Sequence, residues 1–254
     1  MYIIDDGIRL DAVLERPQGL EGKCPLVIII HGFTGHKDEQ HLLAVANKLN
    51  GLGCATLRVD MYGHGKSDGK FHDHTLYKWL TNAMTVIDYA RELDFVSDLY
   101  LCGHSQGGLT AILAAGLKHD QLSGVIALAP ACMIPELART GGLLGTSFDP
   151  DHIPESLTVW GSWTLGSNYV RAAQTLHVEE AIDRFDGPVL VVQGGRDGPD
   201  LMASAKAAAE RYRHARLVMI PEATHCFDDH LEPLTDAVGQ WMRERINGSS
   251  LVIS

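Results

Sequence analysis

The sequence predicts an α/β protein, a mostly parallel twisted sheet with helices on both faces and a small inserted lid. Three observations predict it. Short apolar runs alternate with longer amphipathic ones, and several of the short runs are continuously β-branched, as in strands buried on both faces. The alternation breaks at Pro130 and resumes near Val178. Residues 1–130 and 178–254 are therefore expected to form the core, with 131–177 an insertion placed after a sheet strand.

Residues 8–14 alternate like a strand, and 26–30 form a continuous apolar one. Helical spacing follows over 39–49, with Gly51 and Gly53 at its end. Residues 55–59 are the next strand. Leu76, Leu80, Ala83, Ile87 and Ala90 then recur at helical steps. A short strand is expected at 99–102, an Ala- and Leu-rich helix at 106–117 and a strand at 124–129. Beyond the insertion come a strand at 189–192, a helix at 201–212, a strand at 216–220 and a last helix at 231–246. Such sheets bind ligands beyond the carboxyl ends of their strands.

The 254 residues carry 21 Lys and Arg against 32 Asp and Glu, a formal charge of −11. That charge repels phosphate backbones and anionic lipid, so neither nucleic acid nor a membrane surface is an expected partner. The first residues have no basic start and no long apolar run, so no secretory signal is expected and the cytoplasm is the expected compartment. A homodimer is left open. Five scattered cysteines, none spaced C-x-x-C, offer neither a zinc ribbon nor a disulfide framework and are expected to be free thiols. Cys226, next to His225, is a candidate for sensitivity to thiol reagents.

The most informative segment is Leu99-Tyr-Leu-Cys-Gly103-His-Ser105-Gln-Gly107-Gly108. It contains G-x-S-x-G between an apolar strand and an apolar helix, the setting of a nucleophile elbow. The turn demands small neighbours, which the glycines supply; a Gly-rich helix start with a capping serine is the structural alternative. A serine hydroxyl attacks only when an oriented base takes its proton, so an acid and a histidine must follow in the order Ser, Asp, His. Asp197 and His225 lie just after the strands 189–192 and 216–220, which the intervening helix should make neighbours. Ser105 would attack, His225 would act as base and then acid, and Asp197 would fix the imidazole tautomer. Only a neutral imidazole can serve as base, so activity should rise as His225 loses its proton. Asp200 reads instead as part of a helix start, and His230 lies too near the last helix.

An oxyanion needs donors, and the amide of Gln106 is one. The loop His31-Gly32-Phe33-Thr34-Gly35, after an earlier strand, makes the Phe33 amide the second candidate, although a plain turn would also explain His31-Gly32. Asp60-x-x-Gly63-x-Gly65-x-Ser67 lacks phosphate-loop spacing and reads as a structural turn. His72-Asp-His74 has no accompanying ligand set, so no metal is expected.

Together these motifs, in this order, resemble the α/β-hydrolase superfamily over almost the whole chain. They look most like bacterial intracellular cinnamoyl (feruloyl) esterases. The resemblance implies an eight-stranded sheet, no cofactor and aromatic ester substrates. It also implies nucleophile, acid and base roles for Ser105, Asp197 and His225, and oxyanion roles for Phe33 and Gln106. Gly194-Gly195 before Arg196-Asp197 departs from the Gly-Thr or Gly-Glu of many relatives.

In the insertion, 156–166 reads as a hairpin turning on Gly161-Ser162. Trp160 and Trp163 would then be directly opposed, an aromatic wall for a planar acyl group. Tyr169 could bond a phenolic hydroxyl on that ring. Alternatively, both tryptophans fasten the lid to the body. The expected function is hydrolysis of hydroxycinnamoyl esters (feruloyl, caffeoyl, p-coumaroyl, chlorogenoyl) through an acyl-serine. A monoacylglycerol-type lipase, thioesterase or peptidase on the same scaffold is the alternative, followed by a non-catalytic small-molecule receptor.

Overall fold

The computed structural model describes residues 1–249, with side chains to 247. The core strands are β1 (Tyr2–Asp5), β2 (Ile8–Glu15), β3 (Cys24–Ile30), β4 (Ala55–Val59), β5 (Val96–His104) and β6 (Gly124–Leu128). The insertion holds β7 (Gly142–Leu143), β8 (Thr146–Ser147), β9 (Ser156–Val159) and β10 (Trp163–Gly166), and β11 (Val189–Gly194) and β12 (Ala215–Ile220) follow it. The helices are α1 (Gln40–Gly51), α2 (Leu76–Arg91), α3 (Gln106–Leu117), α4 (Ile134–Thr140), α5 (Ser167–Gln174), α6 (Val178–Arg184), α7 (Pro199–Arg211) and α8 (Leu231–Ser249).

Eight strands form one sheet in the order β1-β2-β4-β3-β5-β6-β11-β12. From β4 to β12 all neighbours are parallel, while β2 runs antiparallel to both β1 and β4. The expected α/β architecture is therefore present. Residues on β3 show why it needs two helical layers. Val27 and Ile29 pack with Leu42 and Val45 of α1 and Val238 and Trp241 of α8. Leu26, Ile28 and Ile30 face the opposite core with Trp79 of α2 and Ile112 of α3. All five β3 residues are fully buried, so period-two alternation in polarity is absent and only the continuous apolar run marks the strand.

Two features differ from the sequence expectations. The edge strand β1 was not anticipated; it pairs with β2 across Asp6-Gly7, both at positive φ (48° and 80°), a turn that the Asp-Gly dipeptide favours. The lid hairpin closes on three residues rather than two, because Trp163 pairs with Val159 and not with Trp160. This register sets Leu157 opposite Leu165, and both are buried together with Val159. A shift by one residue would turn one of the paired strands' apolar side chains away from the core. Trp160 thus sits in the loop at φ 47°, beside Gly161 at φ 73°.

Candidate active site

Ser105 follows the last residue of β5, Asp197 lies three residues beyond β11, and His225 five beyond β12. All three therefore stand at the carboxyl edge of the parallel sheet. β11 and β12 are neighbours in register from Val189–Ala215 to Gly194–Ile220, as expected from their connection.

The turn at Ser105 is strained, with φ 55° and ψ −117°. It is held from both sides, since the Ser105 amide donates to Leu128 O (2.9 Å) and its carbonyl accepts from Ala131 N (3.0 Å). The glycines around it are sterically required. A Cβ on Gly103 would stand 2.1 Å from Gly107 O, and one on Gly107 would stand 2.3 Å from His31 O. The strand, the helix and the His31 loop converge there too closely for any side chain.

The Ser105 hydroxyl donates to His225 Nε2 at 2.9 Å, and His225 Nδ1–H donates to Asp197 Oδ2 at 2.8 Å. This bond to the carboxylate sets the tautomer that leaves Nε2 free to accept. Asp197 also accepts from Gln193 Nε2 (2.8 Å) and from Gly198 N (2.7 Å). Burial by itself would raise the Asp197 carboxyl. The hydrogen bond from His225, its charge and these two further donors outweigh it and hold the group below the usual carboxylate range.

The two loops carrying Asp197 and His225 are joined by their backbones, Gly195 N to Ile220 O (2.9 Å) and Arg196 N to Ala223 O (3.0 Å). A Cβ at Gly195 would strike Pro221 O at 2.4 Å, which gives the Gly194-Gly195 pair a steric reason in this chain.

Gln106 directly follows Ser105, and Phe33 lies in the loop that packs against the elbow. Gln106 opens α3, where the first amides have no acceptor inside the helix. The His31 loop packs against the elbow, with the Cβ position of Gly32 only 3.3 Å from Ser105 Cβ. The Asp60 turn braces this loop. Its carboxylate accepts from Lys37 N (2.7 Å), Lys37 Nζ (2.9 Å) and Lys66 N (2.9 Å), and Met61 N donates to His31 Nε2 (3.0 Å). The motif is structural, as its spacing suggested.

The lid residues depart from expectation. Trp160 and Trp163 do not oppose one another. Trp160 stands edge-on to Phe33 (5.3 Å, 89°), Trp163 leans on Phe71 (4.7 Å), and Phe33 and Phe71 themselves touch (5.1 Å). The two indoles are thus the ends of a four-ring chain, and both remain substantially exposed, 54% for Trp160 and 39% for Trp163. Tyr169 is completely buried, and its hydroxyl donates to Gln106 Oε1 at 2.6 Å. It is therefore committed within the protein rather than offered to a ligand.

Asp200 lies exposed in the first turn of α7 and His230 just before α8; neither is bonded to Ser105, His225 or Asp197. His72 bonds Asp73, and His74 bonds Phe71 O. Cys24, Cys54 and Cys102 are buried free thiols. Cys226 is also free, but burial, then Asp228, Glu39 and Asp197, push its thiol up to about 11. A thiol held protonated in this way is a poor nucleophile, contrary to the expectation of reactivity.

Sequence reasoning missed two supporting residues. Gln193 gave no signal because a glutamine four residues before an acid is common. His104 sits inside the nucleophile motif, yet its contact is across the fold, where Nε2–H donates to the His225 carbonyl at 2.9 Å. Burial, and then the neighbouring His41 and His225, push His104 well below the ordinary histidine range, so its ring is neutral.

Residues 22–150, half of the chain, match the family described as serine aminopeptidase, S33. The chain belongs to this hydrolase family. The hydrolase is 54% identical to Est1E from Butyrivibrio proteoclasticus, solved with ferulic acid bound, at a TM-score of 0.95 over 97% of this chain and 99% of that one. It is 28% identical to human mitochondrial palmitoyl-protein thioesterase ABHD10 over 59% of this chain, a stretch spanning 45% of that protein's length. It is also 24% identical to mouse monoglyceride lipase, over 87% of this chain and 83% of that one. The eight-stranded sheet is that of an α/β-hydrolase.

Proposed function

We propose that this hydrolase cleaves hydroxycinnamoyl esters, of the feruloyl, caffeoyl, p-coumaroyl and chlorogenoyl kind, through an acyl-enzyme on Ser105. The observation that carries the acyl group is the ferulic acid held by Est1E, 54% identical over nearly the full length. The hydrogen-bonded run Ser105–His225–Asp197 supports the chemistry.

Ser105 Oγ attacks the ester carbonyl carbon while its proton passes to His225 Nε2. The negative oxygen of the tetrahedral intermediate accepts from the amides of Gln106 and Phe33. His225 then protonates the departing alkoxide, leaving the acyl group on Ser105. Water attacks that acyl carbon, its proton again going to Nε2, and the free cinnamic acid departs as Ser105 recovers its proton. Asp197 stabilises the imidazolium in both halves. Trp160, edge-on to the buried Phe33 of the oxyanion loop, supplies exposed aromatic surface suited to a planar acyl group.

The substrate is thus a small aromatic ester. Among the described residues no helix is long and apolar enough to cross a membrane. The cytoplasm remains the expected compartment and a homodimer the assembly to be checked by light scattering.

The deciding experiment compares kcat/KM for methyl ferulate, a p-nitrophenyl butyrate and a palmitoyl thioester, in wild type and Ser105→Ala. A preference for ferulate, abolished in the variant, is expected. Turnover of the aliphatic substrates alone would sink the cinnamoyl reading while keeping the serine mechanism, and full activity in Ser105→Ala would sink both.

A further inference from the structure

Behind the catalytic histidine, three buried polar atoms converge with nothing to bind. Glu39, His41 and His104 each bring one possible ligand atom within 4.8 Å of the others, and Glu39 Oε2, His41 Nε2 and His104 Nδ1 each lack a hydrogen-bond partner. His41 is 1% and His104 3% exposed. The other nitrogen of each ring has its own neighbour. His104 Nε2–H donates to the His225 carbonyl, which leaves Nδ1 as a bare lone pair. His41 Nδ1 faces Asp228 Oδ1 at 3.8 Å, which favours the proton there and a lone pair on Nε2. Two imidazole nitrogens and a carboxyl group are thus gathered at one place without partners of their own. Metal-binding histidines are commonly oriented in this way, the outer N–H given to a carbonyl or carboxylate.

Glycines keep the place open. A Cβ on Gly32 would lie 3.1 Å from His104 Nδ1, and one on Gly35 would lie 2.2 Å from Glu39 Oε2. From this convergence we propose that Glu39, His41 and His104 form a binding site for one divalent transition-metal cation. Two nitrogens and one oxygen suit Zn²⁺, Co²⁺ or Ni²⁺ over Mg²⁺ or Ca²⁺. At zinc bond lengths the ligand atoms stand about 3.3 Å apart, so the widest pair must draw in by roughly 1.5 Å. Glu39 is the ligand with most freedom to move, since it precedes α1, makes no capping bond with its side chain and is only partly buried. A cation there would tie the start of α1 to the end of β5, and through His104 to the loop of His225. No step of ester cleavage passes through it.

The test is equilibrium dialysis of chelator-stripped protein against Zn²⁺, with the Tm read in parallel. One tight equivalent is expected, with a Tm increase of about 3 °C or more at a tenfold excess over Kd. His41→Gln should abolish both effects. His152→Ala and His72→Ala, which break exposed histidine–carboxylate pairs, should leave them intact. Absence of a tight equivalent, its survival in His41→Gln or its loss in His152→Ala would overturn the assignment. Because His41→Gln could also misfold, wild-type crystals soaked in Zn²⁺ give an independent reading. An anomalous peak between the three atoms supports the site, whereas a water there, or zinc only elsewhere, refutes it.

Discussion

Tyr169 gives its phenolic hydrogen to Gln106 Oε1 across 2.6 Å, and both residues are buried. The inserted segment is therefore bolted to the residue directly after Ser105. A hydroxyl used in this way positions the start of α3, its hydrogen already committed. Tyr169→Phe should leave Gln106 Oε1 unpaired beside its Nε2, which already lacks a partner. The expected cost is about 1–3 kcal/mol in urea unfolding, with kcat for methyl ferulate reduced and KM changed less than about twofold. A large KM effect confined to substrates bearing a ring hydroxyl would instead restore direct contact.

Asp197→Asn keeps the shape of the acid but reverses the tautomer of His225. We expect kcat/KM for methyl ferulate to fall by about 10⁴, with Tm changed far less than activity. Gln193→Ala removes one donor to Asp197 Oδ2 and should cause a smaller loss in the same parameter. Steady-state kinetics on the two variants checks the ranking.

Trp160 and Trp163 should separate kinetically. Trp160 touches Phe33, whose amide is the candidate oxyanion donor, whereas Trp163 touches Phe71. Trp160→Ala is expected to raise KM for methyl ferulate about threefold to tenfold, the worth of one aromatic contact. Trp163→Ala should change it less, and equal effects would favour a merely adhesive role for both.

Acid should destabilise the fold through His74. Burial, and then the facing His64, hold its pKa down to about 3 against the opposing bond to Phe71 O. An unfolded histidine takes its proton near about 6.5. Between those values the unfolded chain carries the proton and the folded one does not. Stability is thus complete above about 6.5 and lost as pH falls, by up to about 1.4 kcal/mol per unit. His74→Gln, which cannot titrate, should flatten the slope of urea stability between pH 6.5 and 4 by close to one proton.

Gly103→Ala tests the elbow. Its Cβ would meet backbone at 2.1 Å, where nothing flexible can give way. A destabilisation of at least about 3 kcal/mol is expected, read as a lowered urea midpoint or failure to fold. Ala at Gly142, with open space around its Cβ, is the matched control.

The residue sequence by itself determined the architecture and the candidates for the chemistry. Buried parallel strands announce themselves as continuous apolar runs, and a nucleophile elbow needs small residues at set positions, so both leave a local signature. Ser105, Asp197 and His225 could be proposed together because topology puts the ends of successive parallel strands along one edge, where the fold hydrogen-bonds them to one another. What only the tertiary structure decided were contacts between segments far apart in the chain. The hairpin register followed from the burial of Leu157, Val159 and Leu165, which no two-residue turn rule contains. Tyr169 found Gln106 from 63 residues away, and His104 reached His225 from 121. Hydrogen-bond partners across such separations are selected by packing, and packing is a property of the folded whole.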